Sequence, residues 1–221
     1  MSNLTGANIA FDLDGTLVDT APDLAGTLNT VLADEGVAPL PYDTVRRLIS
    51  HGARALLERG FAAAGHPLGD ELSDVLLARF IEVYLARIAD ESRPFPGVET
   101  ALATLRDAGA RLTVCTNKRT RLSVALLDAL NLSHWFEAIV GPDTAGCYKP
   151  DPRHLFAAIG QPDRALFVGD SETDIATARN AGVPIVAVTF GYTETPCADL
   201  NPDALIDHFD ELPAAVVKLL A

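Results

Sequence analysis

Asp12 and Asp14 stand two residues apart in DLDGT, directly after the apolar run NIAF at 8–11. On an extended chain residues i and i+2 project to the same side, so this spacing aims two carboxylates into one volume. Asp-Gly is also ordinary turn chemistry, and these residues alone leave both readings open. Other strand-like runs end in polar groups too. Thr116 and Asn117 close LTVCTN, Asp143 follows EAIVGP, and Asp170 closes LFVGD with Asp174 one helical turn later. Lys149 sits in YKPDP, ahead of a predicted helix that Asp151 caps and Pro152 begins. Singly, each has a bland reading: a strand threonine, a solvated lysine, and in SETD (171–174) a capping box that only starts a helix. Gathered at one place, the acids would repel one another in a partly dehydrated cleft unless a cation joined them. Asp12 and Asp170 offer the one or two hard oxygen ligands, with room for water and phosphate oxygens, that Mg²⁺ prefers. Asp174 would complete or orient that shell, and Lys149 would add a second positive charge.

Those residues meet only if the elements carrying them share a sheet edge. Six runs are strand-sized: NIAFDLD, ARLTVCTN, EAIVGPD, ALFVGDSETD, PIVAVTFG and DALIDHF. Helical patterns lie between them. Leu122, Ala125, Leu126, Ala129 and Leu130 follow i, i+3, i+4, i+7, i+8, while VETALATLRDAG and ATARNAG each stop at a glycine. This alternation predicts an α/β fold with a parallel sheet covered on both faces, which binds ligands beyond the carboxyl ends of its strands. Between Thr16 and about Pro94 the strand pattern disappears. LAGTLNTVLADEG, TVRRLIS, ARALLERGFAAAG and ELSDVLLARFIEVYLARIAD read as helices, and SRPFPGVET as the linker back. The expected organisation is a catalytic core of 1–16 and 95–221 with an all-helical insert at 17–94. An insert that leaves and returns beside Asp14 suits a lid that shuts out water. His51 and Arg54 in ISHGAR are its candidates for meeting a substrate carboxylate, against the plain alternative of a solvated helix start.

Composition narrows the partners. The 221 residues are 48% hydrophobic and 21% charged, as in an ordinary globular protein. A net charge of -13 argues against nucleic acid and anionic membrane surfaces. It also means that an anionic substrate needs a local cation, which Mg²⁺ and Lys149 would supply. No run is long enough to span a bilayer, and no basic segment leads into a hydrophobic signal core, so a cytoplasmic protein is expected. Cys115, Cys147 and Cys197 are odd in number, far apart and outside any CxxC, which predicts reduced packing residues. Neither GxGxxG nor GxxxxGK[ST] is present, which disfavours a dinucleotide module.

DLDGT, the strand-terminal TN, KPDP and GDSETD resemble, in order and in place, the four motifs of the haloacid dehalogenase-like superfamily. The likeness extends over nearly the whole chain, and DTAPDL, CTNK, GARALLERG and FGYTETP are similar to its bacterial phosphoglycolate phosphatase branch. The resemblance implies a Rossmann-like three-layer core with an inserted helical cap. It implies Asp12 as nucleophile, Asp14 as general acid and base, and Thr116, Asn117 and Lys149 as phosphate binders. It implies Mg²⁺ held by Asp12, Asp170 and the Asp14 backbone carbonyl, with Asp174 matching the last acid of the fourth motif. Dehalogenase members lack an acid at the position of Asp14, so its presence favours phosphoryl chemistry through an aspartyl-phosphate. The expected substrate is a small phosphorylated metabolite, 2-phosphoglycolate first. The alternatives are a sugar phosphate such as N-acetylmuramic acid 6-phosphate, a phosphosugar mutase, and a signalling receiver that stores phosphate on an aspartate. The chain is expected to act as a monomer or homodimer. In the cap, His51 and Arg54 are the implied specificity residues, and Ser50 stands where branch relatives carry glycine.

Overall fold

A computed structural model describes residues 3–161, 163–193 and 195–221; Met1 and Ser2 of the expected core and Glu194 of FGYTETP lie outside the described residues. The chain opens with β1 (Ala7–Phe11) and a two-residue β2 (Val18–Asp19). Four helices follow: α1 (Ala21–Asp34), α2 (Tyr42–Leu48), α3 (Ala53–Ala63) and α4 (Asp70–Ala86). A two-residue β3 (Arg93–Pro94) leads back to α5 (Val98–Asp107), β4 (Arg111–Cys115), α6 (Thr120–Ala129), β5 (Ala138–Val140) and the short α7 (Pro142–Ala145). The last third comprises α8 (Pro152–Ile159), β6 (Arg164–Gly169), α9 (Glu172–Ala181), β7 (Ile185–Val188), β8 (Ala204–Ile206) and α10 (Leu212–Leu219).

Six strands form one parallel sheet in the order β5-β4-β1-β6-β7-β8. They correspond to the six runs read from the sequence, and the α/β class with helices on both faces is as expected. Side-chain alternation decides which helices go where. Ile9 and Phe11 of β1 join Leu112, Val114, Leu166 and Val168 in a core closed by Leu102 and Leu105 of α5, Leu126 of α6 and Val216 of α10. Ala10 and Phe167 point to the other face and pack with Leu155 and Ile159 of α8 and Ile175 and Ala178 of α9. Burying a leucine, isoleucine or phenylalanine side chain contributes about 1.5–3 kcal/mol, so the two-sided burial of β1 anchors the strand that carries Asp12. All five residues of β1 are buried. Cys115 and Cys197 are packing residues in this second core, whereas Cys147 is only half-buried; all three are free thiols.

Helices α1–α4 pack on one another through Leu24, Leu28, Leu56, Phe61, Phe80 and Tyr84, and Leu122 and Tyr192 join that cluster from the sheet-bearing part of the chain. Where no strand was expected, β2 and β3 pair antiparallel through Val18↔Pro94 and Asp19↔Arg93. This two-residue ribbon is the place where the chain leaves for α1 and returns from α4. Buried Asp23 ties the return down by accepting hydrogen bonds from the Ser92 main-chain N–H (2.8 Å) and hydroxyl (2.7 Å). No helix among the described residues is long and apolar enough to cross a membrane.

Candidate active site

β1 lies between β4 and β6, with Phe11 level with Val114 on one side and Val168 on the other. Asp12 comes one residue after Phe11, and Thr116 and Asp170 come two residues after Val114 and Val168, so three strand ends deliver their polar groups to one crevice, at a switch point of the strand order. All three residues are buried. Asp12, Asp170 and Asp174 each place one carboxylate oxygen within 4.8 Å of the others. Lys149 Nζ sits in the gap, 2.8 Å from Asp12 Oδ1 and 2.6 Å from Asp174 Oδ1.

Asp174 forms the capping box read from the sequence and, in addition, an ion pair with Lys149. Its Oδ2 accepts the Asp170 and Ser171 main-chain N–H groups (3.2 and 3.0 Å) and completes a capping box with Ser171, while its Oδ1 faces Lys149. Asp170 is held by the Thr16 hydroxyl on Oδ1 (2.8 Å) and by the Tyr192 main-chain N–H on Oδ2 (2.8 Å). A Cβ on Gly15, at φ +85°, would fall 2.5 Å from Asp170 Oδ2, so only glycine lets the DLDGT turn pass this close.

Burial pushes the Asp12 carboxyl up to about 7 even against the pull of Lys149, and Asp174 adds to the rise. Burial and the neighbouring carboxylates raise Asp170 well above the ordinary range. Burial opposes the charge on Lys149, but Asp12 and Asp174 outweigh it and hold the ammonium charged. Three clustered acids share one lysine, so all three ionise together only when a further cation joins them, and Asp12 Oδ1, although beside Lys149, accepts no well-aligned hydrogen bond. Hard oxygen donors that lack a counter-charge in this way fit a divalent cation such as Mg²⁺.

Lys149→Met tests the charge balance. Breaking a buried ion pair from one side costs about 3–5 kcal/mol, so the variant should unfold at clearly lower urea concentration in EDTA. Unchanged stability would mean that Lys149 does not neutralise this cluster.

Asp14 also flanks the crevice, but its side chain turns to the wall. It accepts the Thr20 hydroxyl (2.8 Å) and Lys118 Nζ (2.8 and 3.0 Å). Lys118 is buried, lies 4.6 Å from the Tyr84 ring centroid and is held charged by Asp14 in spite of burial. Lys118 and Thr20 were not singled out from the sequence; the signal for Lys118 was its place beside Asn117 in CTNK. The Asn117 amide brackets the Lys149 backbone, its Oδ1 accepting from Lys149 N (2.9 Å) and its Nδ2 donating to Lys149 O (3.3 Å). The Asn117 side chain thus serves to position Lys149, using one of its two amide N–H groups. Asp143 does not join the site. It is exposed and caps α6 from α7 by accepting the Thr120 N–H at 2.8 Å.

Over the crevice lies a cleft whose walls include Asp12, Asp14, Thr116 and Lys118 below and Ser50, His51, Arg54 and Tyr84 above. Arg54 is 45% exposed and ion-paired to Glu58 and Asp74, and the His51 ring stands 3.4 Å from Arg59. Ser50 has φ 130°, a conformation that glycine adopts with less strain.

The family model for haloacid dehalogenase-like hydrolases matches residues 7–182, which include every acid of the crevice. The chain belongs to the haloacid dehalogenase-like hydrolases. Within that family this hydrolase falls in the phosphoglycolate phosphatase branch and is a phosphoric monoester hydrolase. It is similar to a phosphoglycolate phosphatase of Caulobacter vibrioides, 58% identical over 100% of this chain and 94% of the relative. Among solved structures, one described as a predicted phosphoglycolate phosphatase from Haemophilus somnus superposes with TM-score 0.88 at 32% identity, covering 96% of this hydrolase and 99% of that chain. CbbY from Rhodobacter sphaeroides, solved in complex with phosphate, superposes with TM-score 0.79 at 27% identity, covering 96% and 99% of the two chains.

Proposed function

We propose that the protein is a Mg²⁺-dependent phosphomonoesterase that hydrolyses 2-phosphoglycolate to glycolate and phosphate by way of an aspartyl-phosphate. The observation that carries this reading is the three-carboxylate cluster at the carboxyl end of β1, with Lys149 paired to two of its members. Asp12, Asp170 and the Asp14 main-chain carbonyl would hold the ion, while Asp174 fixes Lys149 and the loop that presents Asp170. When bound, Mg²⁺ supplies positive charge to the phosphate oxygens.

The protein's own groups then divide the work. Asp12 attacks phosphorus in line, and Lys149, the Thr116 hydroxyl and the Asn117 main-chain N–H hold the equatorial oxygens. Asp14 gives a proton to the departing alkoxide. As a carboxylate it next takes a proton from the water that attacks the acyl phosphate, which returns Asp12 and frees phosphate. In this reading residues 17–94 form a lid over a core of 1–16 and 95–221, with His51 and Arg54 facing the carboxylate of the substrate. The name of the Caulobacter relative supports glycolate as the leaving group. The protein would work in the cytoplasm on a small metabolite, as a monomer or homodimer.

A phosphate-release screen over small phosphomonoesters tests this directly. 2-Phosphoglycolate should be the preferred substrate, and EDTA should lower the rate by more than about 10²-fold, with Mg²⁺ restoring it. Preference for a sugar phosphate would overturn the substrate, and activity insensitive to EDTA would overturn the metal.

A further inference from the structure

We propose that Arg46, on α2 of the helical unit, is a positioning residue for the Mg²⁺ site, acting through the peptide group that joins Gly191 to Tyr192. The inference rests on the reading that Asp170 holds the ion. The carbonyl of that peptide accepts a 2.7 Å hydrogen bond from Arg46 Nη2, and its N–H donates a 2.8 Å hydrogen bond to Asp170 Oδ2. One rigid planar group thus has a cation of the helical unit at one end and a carboxylate of the metal cluster at the other.

The residues on either side of this peptide are anchored to different parts of the molecule. Phe190, the residue before, is fixed in the sheet domain by ring contacts with Phe95 (4.6 Å) and Phe209 (5.9 Å), and its own carbonyl also accepts from Arg46 Nη2 (3.1 Å). Tyr192, the residue after, is buried in the helical cluster, with the Arg46 guanidinium 5.1 Å from its ring centroid. Its hydroxyl accepts the Thr20 and Ala21 N–H groups (2.7 and 3.0 Å) and donates to Asp19 (2.6 Å), at the ribbon where the chain enters the helices. Gly191 between them has no side chain with which to hold its plane. A Cβ there would lie 2.1 Å from the Asp170 Cβ, so glycine is required by the close approach and Arg46 supplies the restraint that glycine gives up. A charged donor on the carbonyl also strengthens the N–H as a donor, since hydrogen bonds in series polarise one another.

Docking of the helical unit and retention of Mg²⁺ should therefore rise and fall together. The sign of the effect separates this role from a simpler one. If Arg46 acted only as a nearby positive charge, its removal would tighten binding of a cation. If it acts through the peptide, its removal loosens binding.

The test is Mg²⁺ titration by calorimetry on substrate-free protein, comparing wild type with Arg46→Met. The variant should bind about 10-fold more weakly, in the range found for groups that orient metal ligands. A change of less than about 3-fold, or tighter binding, overturns the proposal. Linkage gives a reciprocal readout by amide exchange. Mg²⁺ should slow exchange across Tyr42–Leu48 in wild type and not in Arg46→Met, and equal protection in both would also overturn the coupling. Should Arg46→Met fail to fold, Arg46→Lys, which keeps the charge but moves the donor, carries the same comparison. Wild-type protein that binds no Mg²⁺ would overturn the metal reading itself, whereas normal wild-type binding with an unchanged variant would overturn only the role of Arg46.

Discussion

Asp12→Asn should lower kcat/KM for phosphate release by about 10⁵-fold while the protein keeps its fold. The side chain keeps its size, so the buried β1 and its register with β4 and β6 have no reason to shift. What disappears is the oxygen nucleophile, and an amide nitrogen does not replace it. The variant also loses a charge that burial already disfavours, since the Asp12 carboxyl is pushed up to about 7. Its melting temperature without metal should therefore match or exceed that of wild type, even though Lys149 keeps only Asp174 as a partner. Steady-state phosphate release and a thermal melt on one preparation check both halves. Residual activity above about a tenth of wild type, with a normal melt, would remove Asp12 from the reaction.

Asp14→Asn should cost about 10²- to 10⁴-fold, the usual contribution of a general acid and base. The leaving group makes the two halves of its duty separable. An alkyl phosphate needs a proton for departure, so the variant should be slow from the first turnover. A nitrophenyl phosphate leaves as a stable anion and needs no proton, so Asp12 should still be phosphorylated quickly. The second half then stalls because no carboxylate activates water. The expected result is a burst of about one nitrophenolate per protein followed by a slow phase. Equal slowing of both substrates with no burst would deny Asp14 the proton role. The asparagine can still accept the Thr20 hydroxyl but cannot neutralise Lys118, which in wild type binds both Asp14 oxygens.

The sheet could be read from the chain because its central strands are buried on both faces and so form continuous apolar runs, and because the runs end in groups that a turn does not require. Ile9 and Phe11 on one face with Ala10 and Phe167 on the other illustrate the first point, Thr116 and Asp170 the second. β2 and β3 could not be read, because two residues are too few to show any period and their pairing joins segments about seventy residues apart. The partners of the cluster were hidden for a related reason. Thr16 on Asp170, Lys118 on Asp14 and Tyr192 on Asp170 are contacts across the fold, and nothing local marks a tyrosine whose main chain does the bonding. SETD shows a different limit. The sequence poses capping and a place in the metal shell as alternatives for Asp174, and does not show that one carboxylate can cap the helix with one oxygen and pair with Lys149 through the other. At Ser50 the departure from glycine becomes physical only in the backbone, where φ is 130°.

The β2–β3 ribbon has an architectural consequence. Because outgoing and incoming chain run side by side, separated by one inter-strand spacing of about 4.8 Å, the sheet sees the intervening segment as a closed loop of arbitrary length. Such a segment is a cassette. Any replacement whose two ends meet at that spacing could be grafted in with the strand order and crevice left as they are, so the same chemical engine could be given a new selector without being rebuilt.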